Sequence, residues 1–102
     1  MGKFSIITKV VGIQYNEGKS SIGHLNPGDP INLVREPKNT ADPNAIAVKD
    51  LGGNKLGYIS REWAARLAPK IDAGSKVNTT VKNITGSYEI GFGLDITIEV
   101  ED

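Results

Sequence analysis

The residues best suited to chemistry lie in one polar stretch between two apolar runs, residues 31–34 and 45–48. Its polar and proline residues include Glu36, Pro37, Asn39, Asp42, Pro43 and Asn44. The prolines fix the backbone, and the Asn and Asp side chains can fold back onto nearby amides, so we expect a stiff loop. Such a loop holds polar groups at fixed positions, either for the turn alone or for a ligand as well.

Two carboxylates of this stretch, Glu36 and Asp42, could in principle form the acid and base pair of a hydrolase. The sequence places no nucleophile beside them. The chain has no cysteine, and its single histidine, His24, lies in a glycine-rich segment with no second metal ligand nearby. We therefore expect a protein without metal, cofactor or catalysis, and a hydrolase is the least favoured alternative.

Two tyrosines are candidates for stacking on unpaired bases. Tyr15 and Tyr58 each lie beside a predicted strand end or turn, where a ring can be half exposed. Base stacking on such rings contributes ~1 to 3 kcal/mol each, with little sequence preference. Packing in the core is an equal alternative for both rings, and Trp63, which shares a helical face with Leu67, is expected in the core.

The charge of the chain argues against a strongly basic binding surface. Twelve Lys and Arg residues balance twelve Asp and Glu residues, which gives a formal net charge of +0. Any nucleic-acid contact would therefore be local and modest. Arg61, Arg66 and Lys70 could approach phosphates from one side of a predicted helix, or they could simply be solvated.

The elements that position these residues have the pattern of a small β-barrel. Alternating apolar residues predict strands over residues 3–15, with a bend at Gly12, and over 31–36, 45–50 and 55–59, followed by a closing hairpin over 76–102. Ser60 is a natural N-cap for a helix over residues 61–68, and Pro69 suits the start of a second short segment that stops at Gly74. Five to six strands, one or two short helices and no βαβ rhythm predict an antiparallel barrel of the OB or SH3 type.

The length and hydropathy predict one domain in the cytoplasm. With 102 residues, the chain fits a single domain over residues 1–102. No apolar run approaches the ~20 residues of a membrane span, and the N-terminus lacks the apolar region of a secretory signal. We therefore expect a cytoplasmic protein with no membrane partner.

The most specific pattern runs through residues 33–48, where Arg-Glu-Pro is followed by Asn39, Asp42 and Asn-Ala-Ile. Together with residues 10–15 before it and Gly57-Tyr58-Ile59, Ala64 and residues 67–69 after it, this pattern resembles the HIRAN domain family over most of the chain. The resemblance implies an OB-like barrel of a kind often attached to Swi2/Snf2-type DNA-repair helicases and also found alone. A helicase or repair partner acting in trans is then expected.

The resemblance also implies a function and a site: binding of single-stranded DNA with capture of a free 3′-hydroxyl end. Asp42 would accept the hydrogen bond of the terminal hydroxyl, Tyr15 would stack on a terminal base, and Asn39 would help to hold the nucleotide. Arg61 matches a basic residue near the DNA backbone, and Tyr58 matches a polar ring. A carboxylate accepts from a hydroxyl but repels a phosphate, so Asp42 could distinguish a free end from a phosphorylated or continuous strand.

The chain departs from the family pattern at three positions. Gln14-Tyr15-Asn16 stands where the DNA-binding pattern has Arg-Tyr-Tyr, and Ala41 stands where it has a tyrosine. Two rings and one cation are missing, which at ~1 to 3 kcal/mol per stacked base predicts low or moderate affinity. The missing aromatic residues and the zero net charge keep a protein-interaction module as the alternative function.

Overall fold

The strands follow from the alternation of apolar and polar residues. The computed structural model describes residues 2–13 and 19–101. Its strands are β1 (Lys3–Val11), β2 (Pro30–Arg35), β3 (Ile46–Lys49), β4 (Lys55–Ile59), β5 (Lys76–Ser87) and β6 (Gly91–Glu101), and its helices are α1 (Lys19–Ile22) and α2 (Arg61–Asp72). In β6 every second residue from Leu94 to Val100 is buried, which gives the strand one face for the core.

The strands close into a barrel in the order β1-β4-β3-β2-β5-β6, and β6 pairs with β1. Every pairing is antiparallel. The long strand β1 runs beside β6 for most of its length and beside β4 at its end. The predicted small antiparallel barrel, with five to six strands and one or two short helices, is confirmed.

The core fills the barrel and extends to α2, which packs Ala64, Leu67 and Ala68 against it. Trp63 is half-buried against the same cluster, in agreement with the expected core position. Neither helix in residues 2–13 and 19–101 is long and apolar enough to cross a membrane.

The bend at Gly12 ends β1 earlier than predicted. Gly12 has φ 74°, a conformation that glycine adopts without steric cost. The strand stops at Val11, which is 45% exposed, whereas Val10 and Ile13 on either side of the bend are 6% and 5% exposed. The prediction of a strand through residues 12 and 13 was wrong because the positive φ at Gly12 breaks the two-residue alternation, and residues 14 and 15 of the predicted strand lie outside the described residues.

The helix α2 continues through Pro69, although a break was predicted there. Ser60 caps the first turn as expected, since its Oγ accepts from the backbone N of Trp63 at 3.5 Å. Pro69 lies on the exposed side of the helix, where water can hydrate the carbonyl that loses its partner. Continuing the helix also packs the half-buried Ile71 against the core before the chain turns at Gly74, which has φ 91°.

The segment predicted as a loop over residues 16–30 contains the short helix α1. Ile22, its last residue, is fully buried. A single four-residue turn leaves no repeated apolar spacing in the sequence, so the pattern could not reveal it.

Candidate functional site

A cavity of about 270 Å³ opens where the loop between β2 and β3 meets β1, β4 and the start of α2. We call it the loop pocket; it is lined by Val11, Asn39, Ala41, Asp42, Ala45, Tyr58, Ile59 and Arg61. Val11 and Tyr58 are paired across β1 and β4, so their side chains share one face of the barrel wall. Four of the five residues predicted for binding line this pocket, namely Asn39, Asp42, Tyr58 and Arg61. The fifth, Tyr15, lies outside the described residues.

The β2–β3 loop is held by hydrogen bonds within itself. At its base the backbone N of Glu36 donates to the carbonyl of Ala45 at 2.9 Å. Asn39 Oδ1 accepts from the backbone N of Ala41 at 2.9 Å and from that of Asp42 at 3.2 Å. These contacts are the predicted folding of side chains onto nearby amides, and they fix the backbone that carries Asp42.

The Asp42 carboxylate is only partly engaged within the loop. Its Oδ1 accepts from the backbone N of Asn44 at 2.9 Å. Among the described residues no donor bonds the other oxygen, and the half-buried side chain lines the loop pocket. That oxygen can therefore accept a hydrogen bond from a ligand.

Glu36 lies beneath this loop and is fully engaged. Its Oε1 accepts from the Tyr58 hydroxyl at 2.8 Å and from Asn39 Nδ2 at 3.0 Å, and its Oε2 lies 2.8 Å from Lys55 Nζ. Partial burial by itself raises the pKa of Glu36, but hydrogen bonds from Lys55, Asn39 and Tyr58 outweigh it and hold the pKa below its ordinary value. Glu36 is thus held as an anion and has little capacity left to act as an acid.

Lys55 completes this network and was missed in the sequence. Its Nζ donates to the Tyr58 hydroxyl at 2.8 Å, and hydrogen bonds to Glu36 and Tyr58 raise its pKa despite partial burial. In a regular strand, residues three apart point to opposite faces, so spacing alone does not bring Lys55 and Tyr58 together. No signal in the pattern pointed to their contact.

Residues at both ends of helix α2 hold the loop in place. Arg61, its first residue, donates from Nη2 to the carbonyl of Ala41 at 3.0 Å. Asp72, its last residue, accepts from Arg35 at 2.9 Å and 3.2 Å, while Arg35 Nη1 also donates to the carbonyl of Ala45 at 2.8 Å. The tip and the base of the loop are therefore fixed to the same helix, and Arg35 is a second contributor that the sequence did not reveal.

The loop pocket combines chemically different walls. Ala45 and Ile59 are buried apolar residues, Tyr58 supplies a ring, Asp42 an acceptor and Arg61 a cation. This combination suits a ligand that carries an apolar ring, a hydroxyl and a negative charge. Within residues 2–13 and 19–101, no group of three or more His, Cys, Asp or Glu side chains could hold a metal ion.

The sequence matches one family model and several curated proteins. The family model described as the HIRAN domain matches residues 3–101. Helicase-like transcription factor of Oryctolagus cuniculus is 41% identical over 63 residues, which are 62% of this chain and 6% of that protein. The chain therefore spans only a small part of the curated relatives that it matches, 6 to 7% of their length.

Solved structures of the HIRAN domain of human HLTF superpose on most of this chain. The crystal structure has a TM-score of 0.73 and 28% sequence identity, with coverage of 96% of this chain and 77% of that one. An NMR structure of the HLTF HIRAN domain in its DNA-bound conformation has a TM-score of 0.65 and 28% identity, with coverage of 96% and 76%.

Proposed function

The chain belongs to the HIRAN domain family, and we propose that it binds single-stranded DNA in the loop pocket with a preference for a free 3′-hydroxyl end. A structure of a related HIRAN domain in a DNA-bound conformation supports the choice of ligand class. The proposal rests on Asp42. Its carboxylate faces the pocket, and one of its oxygens accepts no hydrogen bond from the described residues.

Each wall of the pocket has a role in this proposal. The 3′-hydroxyl donates to Asp42, the Tyr58 ring contacts the terminal sugar or base, and Asn39 holds the loop that carries the acid. The Arg61 guanidinium, exposed at the pocket, pairs with a backbone phosphate. Tyr15 stays a prediction from the family resemblance.

The lost tyrosine of the family pattern would fall inside the pocket. Ala41, which replaces it, is exposed and lines the cavity. A methyl group there offers much less contact area for a base than a ring does. We therefore propose a low or moderate affinity, with end selection depending mainly on Asp42.

The direct test is a fluorescence anisotropy titration with two short deoxyoligonucleotides that differ only in a 3′-hydroxyl or a 3′-phosphate. The wild type is expected to bind the hydroxyl end about tenfold more tightly, since one hydrogen bond to a charged group and the loss of charge repulsion contribute on the order of 1.4 kcal/mol or more. Asp42→Asn keeps an acceptor for the backbone N of Asn44 and should abolish the preference.

The matched control is Asp29→Asn. Asp29 Oδ2 also accepts from a backbone amide, that of Asn26 at 2.8 Å, but Asp29 does not line the loop pocket. Asp29→Asn should leave the affinities for the 3′-hydroxyl and the 3′-phosphate oligonucleotides unchanged. Equal binding of both ends by the wild type contradicts the end-reading proposal.

We propose that the domain binds without catalysing a reaction, and that any catalysis comes from a DNA-repair helicase or similar partner in trans. The engagement of Glu36 by three side chains supports this, because the hydrolase alternative needs that carboxylate to exchange a proton. Metal-dependent cleavage of DNA by the wild type that is lost in Asp42→Asn would overturn it. One domain over residues 1–102 and a cytoplasmic location stay predictions.

A further inference from the structure

We propose that Glu36 is a positioning residue of the loop pocket: it orients Asn39 and Tyr58 for the ligand, and Lys55 is its counter-ion. The inference rests on the proposed function. Neither Glu36 nor Lys55 lines the pocket, yet Glu36 bonds two residues that do, so any effect on the ligand must pass through them.

The carboxylate determines which way the Asn39 amide faces. Asn39 Nδ2 donates to Glu36 Oε1 at 3.0 Å, which leaves Oδ1 toward the loop, where it accepts from the amides of Ala41 and Asp42. A flipped amide would place its oxygen against the carboxylate and its NH₂ group against two N–H donors. Glu36 thereby fixes, through Asn39, the backbone at Asp42.

The same carboxylate fixes the Tyr58 ring. The Tyr58 hydroxyl donates to Glu36 at 2.8 Å and accepts from Lys55 Nζ at 2.8 Å, so both of its hydrogen-bonding functions are used. Lys55 Nζ also lies 5.0 Å from the centre of the Tyr58 ring. With its hydroxyl held from two sides, the ring keeps one position along the pocket wall.

Lys55 has an electrostatic task in this arrangement. Its ammonium group lies 2.8 Å from Glu36 Oε2 and compensates the charge of that carboxylate. Without this compensation, a second negative charge behind the pocket would add to that of Asp42 and repel the phosphates of a nucleic acid. The pair therefore orders the pocket without adding net charge to it, and preorganisation of this kind raises affinity by reducing the ordering cost of binding.

The binding test is a double-mutant cycle with Glu36→Gln, Tyr58→Phe and their combination, titrated with the 3′-hydroxyl oligonucleotide. Glu36→Gln is expected to raise Kd about tenfold, because Asn39 and Tyr58 lose the charged acceptor that orders them and must then be ordered when the ligand binds. Tyr58→Phe keeps the ring and removes only the hydroxyl, so it should have a smaller effect that is not additive with the first. Asp50→Asn is the control, because Asp50 is a loop carboxylate bonded to Asn54 and is not part of the pocket lining.

A second readout uses the free protein. The NMR signals of the Asn39 side-chain amide should shift in Glu36→Gln, and the amides of Ala41 and Asp42 should exchange with solvent faster, while the amides of β5 and β6 stay unchanged. A change confined to the loop separates positioning from general destabilisation, and Tyr58→Phe gives a variant that keeps the Glu36–Lys55 pair should Glu36→Gln fold poorly.

The outcomes are distinguishable. Wild-type protein that binds while Glu36→Gln binds equally well overturns the role of Glu36 and leaves the proposed function standing. Unchanged loop signals in Glu36→Gln overturn it as well. Wild-type protein that binds neither oligonucleotide contradicts the proposed function itself, and the role of Glu36 falls with it.

Discussion

Glu36 accepts hydrogen bonds from three side chains, whereas Asp42 accepts one bond from a backbone amide. Both are carboxylates of the same loop, and their surroundings give them different capacities. Glu36 is committed to the structure of the pocket, and Asp42 retains an oxygen for a ligand. Glu36, at the start of the loop, thus supports Asp42, which lies near its end.

The lowered pKa of Glu36 predicts an acid-sensitive loop. Because the folded protein holds the pKa of Glu36 below its ordinary value of 4.5, the stabilisation is present above that value and is lost as the pH falls through the folded pKa. The free energy of unfolding should therefore decrease less in Glu36→Gln than in the wild type on acidification. Urea unfolding at a series of pH values from neutral to below 4.5 measures this difference.

Hydrogen bonds from Asn54 also hold the pKa of Asp50 below its ordinary value, against the effect of burial, but Asp50 is present in both proteins and its contribution cancels in the difference. Parallel pH profiles of the two would contradict the contribution assigned to Glu36.

The functional residues within the loop could be predicted from the sequence, but the residues outside the loop that fix its position could not. Asn39 and Asp42 were predictable because their side chains act on amides a few residues away. Lys55 and Arg35 act on residues that are close only in the folded barrel, and neither alternation nor spacing encodes those contacts. The contact between Tyr58 and Glu36 likewise forms only in the folded barrel, because 22 residues separate them in the sequence.

The seam between β1 and β4 forms the floor of the loop pocket and depends on a close approach of the two strands. A Cβ at Gly57 would lie 2.5 Å from the backbone oxygen of Val11 and 2.6 Å from Val10 Cγ1. Only glycine permits this spacing, and it brings Val11 and Tyr58 into register across the seam.

Gly57→Ala is expected to destabilise the protein by about 1 to 3 kcal/mol, the usual cost of overpacking a core, and to weaken DNA binding by displacing the pocket floor. Gly52→Ala is the matched control, because its Cβ would meet no atom closer than 3.4 Å. Thermal unfolding and the anisotropy titration measure the two effects. Wild-type stability and affinity in Gly57→Ala would show that the seam tolerates a wider spacing.

The strands and the barrel could be predicted from two-residue alternation, glycine positions and turn residues. The helices were less predictable for a physical reason. α2 continues through Pro69, where packing of the half-buried Ile71 against the core offsets one lost hydrogen bond, and that balance depends on packing across the barrel. α1 is a single turn, too short to produce a periodic pattern.

The formal net charge of the chain is +0, so no general electrostatic attraction draws DNA to its surface. The proposed DNA binding must then depend on local contacts, for which Arg61 is the proposed residue. The protein-interaction alternative, with an apolar interface, predicts an affinity that changes little with salt. The salt dependence therefore separates the two functions.

Arg61→Gln should weaken binding to all single-stranded sequences and reduce the slope of log K against log salt concentration by about 0.7, the effect of one phosphate contact on a single strand. Arg66→Gln is the control: Arg66 lies on the same helix, 5.3 Å from the Trp63 ring centre, and does not line the pocket. A flat salt dependence in the wild type would favour a protein partner instead.

A ¹⁵N–¹H NMR titration of the wild type with a short deoxyoligonucleotide that ends in a free 3′-hydroxyl shows most directly whether the loop pocket binds a free 3′ end. We expect the perturbed amides to cluster at residues 39–45 and 58–61, and the same oligonucleotide with a 3′-phosphate to need about tenfold higher concentrations for the same shifts. Perturbations confined to the β5–β6 hairpin would contradict the proposed site. Equal perturbations of the loop by the 3′-hydroxyl and 3′-phosphate oligonucleotides would contradict the proposed end preference.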